Sequence, residues 1–280
     1  MTQTQDTEAR KLRIALMGEF SAGKSTLANV LLEQETSPVQ VTATQLPPIW
    51  YSQGRPGAER TTDSGAREQL SPEHWRQTEL AGTKKISVSL EASFLTSCDL
   101  IDMPGTSDPN MAPDYWETIL PEVDCVIWCT PANQAWRQSE AALWEQVPPK
   151  LWKNSLLLVT RADKIRNDHD RARLVMRVRR EVDGLFRDVL PISLTAALAG
   201  RTDPDAFESA GATALMDRIG DICESLDKHA LPSFRTLRPA AAIEPQETAA
   251  DAPSTPKIMP RRVVLRSRGR SRPRPEPRMH

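Results

Sequence analysis

The sequence predicts an α/β fold, a three-layer sandwich in which helices cover both faces of a mostly parallel β-sheet. Six short apolar runs, rich in β-branched residues or Leu, alternate along the chain with stretches of helical periodicity. Strands that alternate with helices pair in parallel and are covered on both faces. The pattern is lost near residue 231, where Pro and Arg begin to dominate. We therefore expect a flexible N-terminus over 1–10, a folded domain over 11–231 and a disordered tail over 232–280.

The predicted strands are short and rich in apolar residues, as is typical of strands inside a covered sheet. They are Leu12–Met17, Ile86–Leu90, Cys98–Asp102, Cys125–Cys129, Ser155–Thr160 and Val189–Ile192.

Four segments place apolar residues at helical spacing. They are Lys24–Glu33, Ala135–Gln146, Asp168–Phe186 and Ala212–His229. In the third segment, Asp168 stands where an N-cap is needed. In the second, Trp136 and Trp144 with Leu143 either pack into the core or form an interface stripe.

The segment between residues 35 and 83 shows neither pattern. Pro and Gly interrupt it, as in Pro47-Pro48 and Pro56-Gly57. We predict a long loop directly after the first helix, and loops of that length inside a domain are usually functional or mobile.

Charge is distributed unevenly along the chain. The 280 residues carry 37 Asp and Glu against 36 Lys and Arg, a formal net charge of −1. Residues 257–280 hold eight Arg, one Lys and one Glu, a net charge of +8 that leaves −9 for residues 1–256. This basic tail is either a solubilising segment, a peripheral contact with an anionic membrane or a contact with nucleic acid. Nucleic acid is the least favoured partner, since no aromatic residue is interleaved for base stacking.

Cysteine usage and hydropathy favour a cytoplasmic protein. The four cysteines have neither CxxC spacing nor a matching His, and the N-terminus lacks an apolar signal segment. The apolar runs are far shorter than the ~20 residues that cross a bilayer. We expect a reduced cytoplasmic location, with the membrane reached only peripherally.

The strongest motif lies between the first predicted strand and the first predicted helix. It reads Gly18-Glu19-Phe20-Ser21-Ala22-Gly23-Lys24-Ser25, followed by Thr26, and matches GxxxxGK[ST]. Its glycines allow a tight turn whose N–H groups surround phosphate oxygens, at the positive end of the helix. In such a loop Lys24 reaches the β- and γ-phosphates and the Ser25 hydroxyl binds Mg²⁺. The motif predicts the P-loop NTPase form of the sandwich, against the alternative of a turn that binds nothing.

A second predicted strand ends in polar residues at the same edge of the sheet. Asp102 closes the strand and Gly105 follows three residues later. Asp102 can hold Mg²⁺ through water, and the Gly105 N–H can meet the γ-phosphate. Without the P-loop, this pattern would indicate only a turn.

A third predicted strand runs into Thr160-Arg161-Ala162-Asp163. The Asp163 carboxylate can accept hydrogen bonds from the N1–H and 2-amino groups of guanine, a donor pair that adenine lacks, and would select GTP over ATP. The alternative is an N-cap for the next helix. Ser193, after the last predicted strand, is a candidate contact with the base through its backbone.

These motifs, in this order, resemble the GTPase domain of P-loop GTPases. The stretch Gly-Glu-Phe-Ser-Ala-Gly-Lys-Ser-Thr resembles the bacterial dynamin-like family in particular. Ile86–Leu90, leading through Phe94-Leu95 into Asp-Met-Pro-Gly, is similar to the strand pair before that family's DxPG motif. The likeness covers roughly residues 10–230.

The resemblance implies GTP hydrolysis with Mg²⁺, a switch loop after the first helix, and dimerisation across the GTP site when nucleotide is bound. Thr44, in Thr-Gln-Leu-Pro, matches the switch threonine that binds Mg²⁺ and holds the attacking water, with Thr42 in reserve. Ser21 matches the P-loop serine that in dynamins helps to place a charge-compensating monovalent cation. Arg161 replaces the family's Lys, whose stem packs over the base; an Arg can stack there too.

The lead hypothesis is a GTPase that acts as a switch. Lys24, Thr44 and the Gly105 N–H neutralise charge on the transferred phosphoryl group, while Thr44 positions water. Arg55 and Arg60 in the predicted loop are candidate arginine fingers.

The family follows its GTPase domain with a long helical stalk, for which residues 232–280 are too few. The alternative is therefore a nucleotide-binding scaffold of low activity, or the GTPase half of an assembly whose stalk belongs to a partner chain.

Overall fold

A nine-stranded β-sheet organises the part of the chain that the computed structural model describes, which comprises residues 11–34, 36–37, 47–71, 75–78, 81–106 and 115–226. The strands are β1 (Leu12–Met17), β2 (Ile49–Gln53), β3 (Gly57–Thr62), β4 (Arg67–Leu70), β5 (Thr83–Leu90), β6 (Cys98–Asp102), β7 (Cys125–Pro131), β8 (Leu156–Thr160) and β9 (Asp188–Pro191). They lie side by side in the order β4-β3-β5-β2-β6-β1-β7-β8-β9. All six predicted strands are present, with ends that shift by a few residues.

The sheet is parallel from β6 through β1, β7 and β8 to β9, as predicted. In the other half, β2 pairs parallel with β5 but antiparallel with β6, and β3 pairs antiparallel with β4 and β5. Because β1, β6 and β8 are parallel, their carboxyl ends meet at one edge of the sheet, which is where ligands bind in folds of this class.

The helices are α1 (Lys24–Leu31), α2 (Gln138–Trp144), α3 (Pro149–Trp152), α4 (Asp168–Glu181), α5 (Leu194–Ala199), α6 (Pro204–Ser209) and α7 (Ala212–Ser225). The four predicted helices are present but shorter than predicted, and α3, α5 and α6 are too short to show a periodicity. The N-cap prediction for α4 is wrong by one residue. Asn167 is the N-cap and accepts a hydrogen bond from the Asp170 N–H, while Asp168 pairs with Arg171 inside the first turn.

The prediction of a long loop between residues 35 and 83 is wrong. Strands β2, β3 and β4 form within it and extend the sheet to its edge. In β3 and β4 most side chains are partly or fully exposed. An edge hairpin that is not covered on both faces needs no apolar run, so its strands left no hydrophobic signal in the sequence.

Helices cover both faces of the sheet, so the three-layer prediction is confirmed. One core lies between the sheet and helices α1, α5 and α7, and it contains the buried free thiols of Cys98, Cys125, Cys129 and Cys223. The other core contains the tryptophans, since Trp144 packs edge-on against Trp128 and stacks on Phe186 at 4.0 Å between ring centroids. Trp136 is also buried. Of the two predictions for Trp136 and Trp144, core packing is therefore confirmed and an interface stripe is not.

The predicted N-terminal segment 1–10 and tail 232–280 lie outside the described residues. Within the described ranges, no helix has both the length and the apolar character needed to cross a bilayer.

Candidate nucleotide-binding site

The predicted phosphate-binding loop joins β1 to α1. It begins at Gly18, directly after β1, and ends at Gly23, the N-cap of α1. Gly18 has a φ of 136°, and a Cβ atom there would lie 2.3 Å from the carbonyl oxygen of Cys129 on β7. A side chain does not fit in that space, so the glycine is required by the close approach of the neighbouring strand.

The side chains of this loop divide between solvent and interior. Phe20 and Ser21 are exposed, and Ser21 has a φ of 57°, whereas Ala22 is buried. Ser25 and Thr26 lie half-buried in the first turn of α1, at the positive end of the helix. The loop therefore has the strand before it, the helix after it and the left-handed turns that a phosphate cradle needs.

Lys24 is buried and folds back over the loop. Its Nζ donates hydrogen bonds to the carbonyl oxygens of Gly18 at 2.9 Å and Glu19 at 2.8 Å. Burial lowers the pKa of Lys24 below its ordinary value, and the nearby Asp102 carboxylate opposes that change. An ammonium group in this position is ready to exchange carbonyl oxygens for phosphate oxygens.

The loop after β6 closes against the phosphate-binding loop. Asp102 is the last residue of β6, and its register partner on β1 is Leu16. The Thr106 N–H donates to the Gly18 carbonyl oxygen at 3.2 Å, and a Cβ atom on Gly105 would lie 2.9 Å from the Phe20 nitrogen. The structure thus brings Asp102 and Gly105 next to the P-loop, as the motif predicts.

The Asp102 carboxylate is buried beside the groups expected to bind a metal. Burial raises its pKa, while the Ser37 hydroxyl, the Lys24 ammonium and the Ser25 hydroxyl pull the pKa back down. Oδ2 accepts a hydrogen bond from Ser37, and Oδ1 has no hydrogen-bond partner among the described residues. A buried carboxylate oxygen without a partner beside a serine hydroxyl fits a hydrated Mg²⁺, which prefers oxygen ligands and keeps several waters.

The segment after β8 is tied to the P-loop by two side chains. Thr160 Oγ1 donates to the Ala22 carbonyl oxygen at 2.8 Å, and Arg161 Nη2 donates to the Ser21 carbonyl oxygen at 2.7 Å. Arg161 has a φ of 57°, so the chain turns sharply at this point. The arginine that was expected over the base is therefore bonded to the phosphate loop.

Asp163 follows in a short 3₁₀ turn over Ala162–Lys164 and pairs with Lys164 at 3.0 Å. Partial burial alone would raise its pKa, but Lys164 and Ser193 outweigh that effect and hold the pKa below its ordinary value. The N-cap alternative for Asp163 is wrong, because Asn167 caps the next helix. Ser193 donates its N–H to the Ala210 carbonyl oxygen, and its own carbonyl oxygen accepts a hydrogen bond from the Ala197 N–H.

Sequence reasoning missed a contact between the P-loop and α2. Glu19 forms an ion pair with Arg137 and accepts a hydrogen bond from the Ser139 hydroxyl at 3.0 Å. Arg137 is in turn held by Glu140, which is fully buried and accepts a hydrogen bond from the Arg137 N–H. More than a hundred residues separate Glu19 from Arg137 and Ser139, and no local sequence pattern predicts a contact over that distance.

The predicted switch threonine and the two candidate arginine fingers complete the set of predicted functional residues. Thr44 and its reserve Thr42 fall in the segment 38–46, outside the described residues. Arg60 belongs to strand β3, where it pairs with Glu68 at 2.8 Å, and Arg55 is exposed in the turn before that strand. Of the two arginines proposed for a mobile loop, Arg60 therefore belongs to the hairpin of β3 and β4, and Arg55 belongs to the turn between β2 and β3.

Comparison with known proteins agrees with the motifs. The family model described as the dynamin family matches residues 14–162. Curated relatives include isoniazid-induced protein IniC from two strains of Mycobacterium tuberculosis, CDC 1551 / Oshkosh and ATCC 25618 / H37Rv. Each is 28% identical to this chain over 223 residues, covering 69% of this chain and 44% of the relative. The chain thus spans less than half the length of these relatives.

Similar solved structures include two from work on an oligomerised bacterial dynamin pair in the long-range sensing and tethering of membranes. They superpose with TM-scores of 0.57 and 0.58 at 18% and 20% identity, covering 75% of this chain and 34% of theirs. At that identity the likeness concerns the fold, which is that of a P-loop GTPase. The family model covers more than half of the chain, and the chain belongs to the dynamin family of GTPases.

Proposed function

We propose that this chain binds GTP in the P-loop and hydrolyses it to GDP and phosphate with Mg²⁺, so that its nucleotide state acts as a switch. The observation that carries the proposal is the hydrogen bonding between three loops at one sheet edge. Thr106 contacts Gly18, Thr160 contacts Ala22, and Arg161 contacts Ser21. The loops expected to hold the metal, the phosphates and the base are therefore already joined around one cradle.

Phosphate binding falls to the P-loop. Its backbone N–H groups and the positive end of α1 attract the phosphates, and Lys24 exchanges its bonds to loop carbonyls for bonds to the β- and γ-phosphates. The first turn of α1 brings the Ser25 and Thr26 hydroxyls to the same place. Among these groups, Lys24 supplies the charge that discriminates phosphate from neutral ligands.

Base recognition falls to Asp163. Its pKa lies below the ordinary value, so the carboxylate is charged at neutral pH and can accept hydrogen bonds from the guanine N1–H and 2-amino groups. The Ser193 backbone and the stem of Arg161 are the neighbouring candidates for contact with the base.

Ser25 and Asp102 are the described residues that would hold Mg²⁺, Asp102 through water, with Thr44 as the expected third residue. Bound Mg²⁺ would neutralise charge on the phosphate oxygens. The partnerless Oδ1 atom of Asp102 supports this assignment.

Hydrolysis would depend on electrostatic stabilisation. The Lys24 ammonium and the Gly105 N–H face the charge that develops on the transferred phosphoryl group, and Thr44 would hold the attacking water. We also propose that Ser21 helps to place a monovalent cation, as the family resemblance implies.

A guanine-to-xanthine exchange tests the assignment of the base site. Xanthine carries a carbonyl where guanine has its 2-amino group, so an asparagine amide can donate to it. We expect Asp163→Asn to weaken GTP binding by about 10²-fold or more and to favour xanthosine triphosphate. Asp168→Asn, at an exposed carboxylate of α4, is the matched control. Equal affinity of the parent protein for ATP and GTP analogues, or unchanged GTP binding by Asp163→Asn, would reject the guanine assignment.

A second proposal concerns partners. We propose a homodimer that forms across the GTP site when nucleotide is bound, with a low-activity scaffold or a partner chain as the competing possibilities. Sedimentation and single-turnover hydrolysis, with GTP and with GDP–aluminium fluoride, separate them. Dimer formation with faster hydrolysis supports the switch, and an inert monomer supports the scaffold. Lys24→Ala, which removes the ammonium group expected to bind the phosphates, is the control variant without hydrolysis.

We propose peripheral contact of the tail with anionic membranes, supported by the net charge of +8 over residues 257–280. The test compares the whole chain with a variant lacking these residues, on liposomes containing phosphatidylserine and on duplex DNA, at low and high salt. Salt-sensitive liposome binding that is lost with the tail supports the proposal, and tail-dependent binding to DNA alone would overturn it.

A further inference from the structure

The Asp102 carboxylate is held from a side that no P-loop motif accounts for. Ser37 Oγ donates a hydrogen bond to Asp102 Oδ2, and the two oxygens are 2.6 Å apart. A hydroxyl–carboxylate bond of this length belongs to the charge-assisted class, which is stronger than bonds between neutral groups. Ser37 is only 3% exposed and Asp102 only 6%, so water competes little for this bond.

Ser37 is in turn fixed by the P-loop helix. The Asn29 side chain on α1 accepts from the Ser37 N–H at 2.6 Å through Oδ1, and its Nδ2 donates to the Ser37 carbonyl oxygen at 2.9 Å. Asn29 is 2% exposed. One side-chain amide thus pairs with both backbone groups of Ser37 and holds in place the backbone that carries the hydroxyl.

This arrangement orients the Asp102 carboxylate and leaves one of its two oxygens available. Ser37 uses only Oδ2, while Oδ1 has no hydrogen-bond partner in the part of the chain that is described. Lys24 and Ser25 lie close enough to act on the same carboxylate. Fixing one oxygen of a carboxylate sets its rotation, so the second oxygen is presented in one direction rather than sampling several.

We propose that Ser37 is a positioning residue: its hydroxyl, set by Asn29, turns Asp102 so that Oδ1 is presented to a water on the nucleotide-bound Mg²⁺. The inference rests on the proposed function. It adds a residue outside the P-loop and outside Asp102–Gly105 to the metal site. A competing arrangement, in which Ser37 blocks the metal, is disfavoured because one carboxylate oxygen remains without a partner.

The test measures the affinity for a fluorescent GDP analogue in Mg²⁺ and in EDTA. The ratio of the two affinities isolates the contribution of the metal. We expect Ser37→Ala to reduce this ratio by about tenfold, the effect of one charge-assisted hydrogen bond, with little change in EDTA. Ser37→Thr keeps the hydroxyl and should restore the ratio. Thr36→Ala removes the neighbouring hydroxyl, whose hydrogen bond among the described residues is to the Gln34 side chain, and should leave the ratio unchanged.

Three outcomes would overturn the inference. An equal loss of affinity in Mg²⁺ and EDTA would mean that Ser37 serves folding alone, and an increased ratio would mean that it competes with the metal. If Ser37→Ala is too unstable to assay, a Ser37→Thr protein that folds but keeps a reduced ratio would reject the positioning role. Failure of the proposed function looks different, since the unsubstituted chain itself would then show no GDP binding in either buffer.

Discussion

Glu140→Ala is expected to destabilise the protein strongly and to loosen the P-loop. Glu140 is fully buried on α2 and carries a carboxylate that accepts three hydrogen bonds. Oε1 accepts from Trp128 Nε1 at 3.0 Å, and Oε2 accepts from Thr130 Oγ1 at 2.9 Å and from the Arg137 N–H at 3.0 Å. The carboxylate is thus the common acceptor for donors from β7 and from the start of α2.

The size of the effect follows from the donors left behind. A buried donor without a partner costs about 1–3 kcal/mol, so the two buried donors and the partly buried Arg137 N–H together set an upper bound near 9 kcal/mol. Relief from burying a charge, and water entering the space of the lost side chain, reduce the cost. We therefore expect a loss of about 3–5 kcal/mol, which is a large part of the ~5–15 kcal/mol that stabilises a typical domain. Glu140→Gln keeps one acceptor oxygen and should lose only about 1–3 kcal/mol, since its NH₂ group faces a donor.

The assay is urea unfolding followed by tryptophan fluorescence, because Trp128 and Trp144 lie in the affected core. Nucleotide affinity, measured where each variant is still folded, reports the second effect: Arg137, which Glu140 holds, pairs with Glu19 of the P-loop. Glu145→Ala, at an exposed position beside the end of α2, is the matched control. A loss below about 1 kcal/mol for Glu140→Ala, or equal losses for the alanine and glutamine variants, would refute the reasoning.

The remaining predictions concern one glycine, one strained residue and one carboxylate. Gly18→Ala would place a methyl group 2.3 Å from the Cys129 carbonyl oxygen, so the P-loop must shift, and we expect GDP affinity to fall by at least about tenfold. Glu33 has a φ of 55°, and Glu33→Gly should raise the free energy of unfolding by about 0.5 kcal/mol, whereas Gln34→Gly should lower it. The folded-state pKa of Asp163 lies below its ordinary value of 3.8, so its contribution to stability and guanine binding is present at higher pH. That contribution should survive from pH 7 to pH 5 and be lost as pH falls through the folded pKa.

Each of these has a result that contradicts it. Normal GDP affinity in Gly18→Ala would mean that β7 yields to the methyl group. Equal effects of glycine at positions 33 and 34 would mean that the left-handed conformation stores no strain. For Asp163, a pH dependence of GDP affinity between 5 and 7 that Asp163→Asn abolishes would mean that its pKa is raised, not lowered.

The central strands were predictable because strands that are buried on both faces need apolar residues at nearly every position. Val126 and Leu157 belong to predicted runs in which every residue is buried, and Ile14 belongs to one in which every residue but Arg13 is buried, so even a short run is informative. Strand β4 has no such requirement: Arg67 and Glu68 are exposed at the sheet edge, and a strand there is specified by pairing with β3. Pairing is a long-range property that local composition does not carry.

The same distinction applies to the site. Gly18 and Asp102 were identified because their chemistry depends on a fixed local spacing next to a strand. The contacts of Glu19 with Arg137 and of Ser37 with Asp102 join residues far apart in sequence, and each partner taken alone is an ordinary charged or polar residue. Local motifs therefore predict the groups expected to contact the ligand, whereas the groups that hold those residues in position are found only in the folded structure.

Three carbonyl groups of the P-loop are held by residues outside it, which bears on the proposed phosphate site. Gly18, Ser21 and Ala22 direct their carbonyl oxygens to Thr106, Arg161 and Thr160, which belong to other elements. The C=O and N–H groups of one peptide point in opposite directions, so the held carbonyls of Gly18 and Ala22 also set the directions of the linked N–H groups of Glu19 and Gly23, whereas the Ala22 N–H donates to the Glu19 carbonyl oxygen. Phosphate binding at the proposed site would then require less ordering of the loop, and the affinity that ordering consumes would be retained. Because Thr160 and Arg161 also begin the segment expected to read the base, the shape of the phosphate cradle and the position of the base site depend on the same contacts.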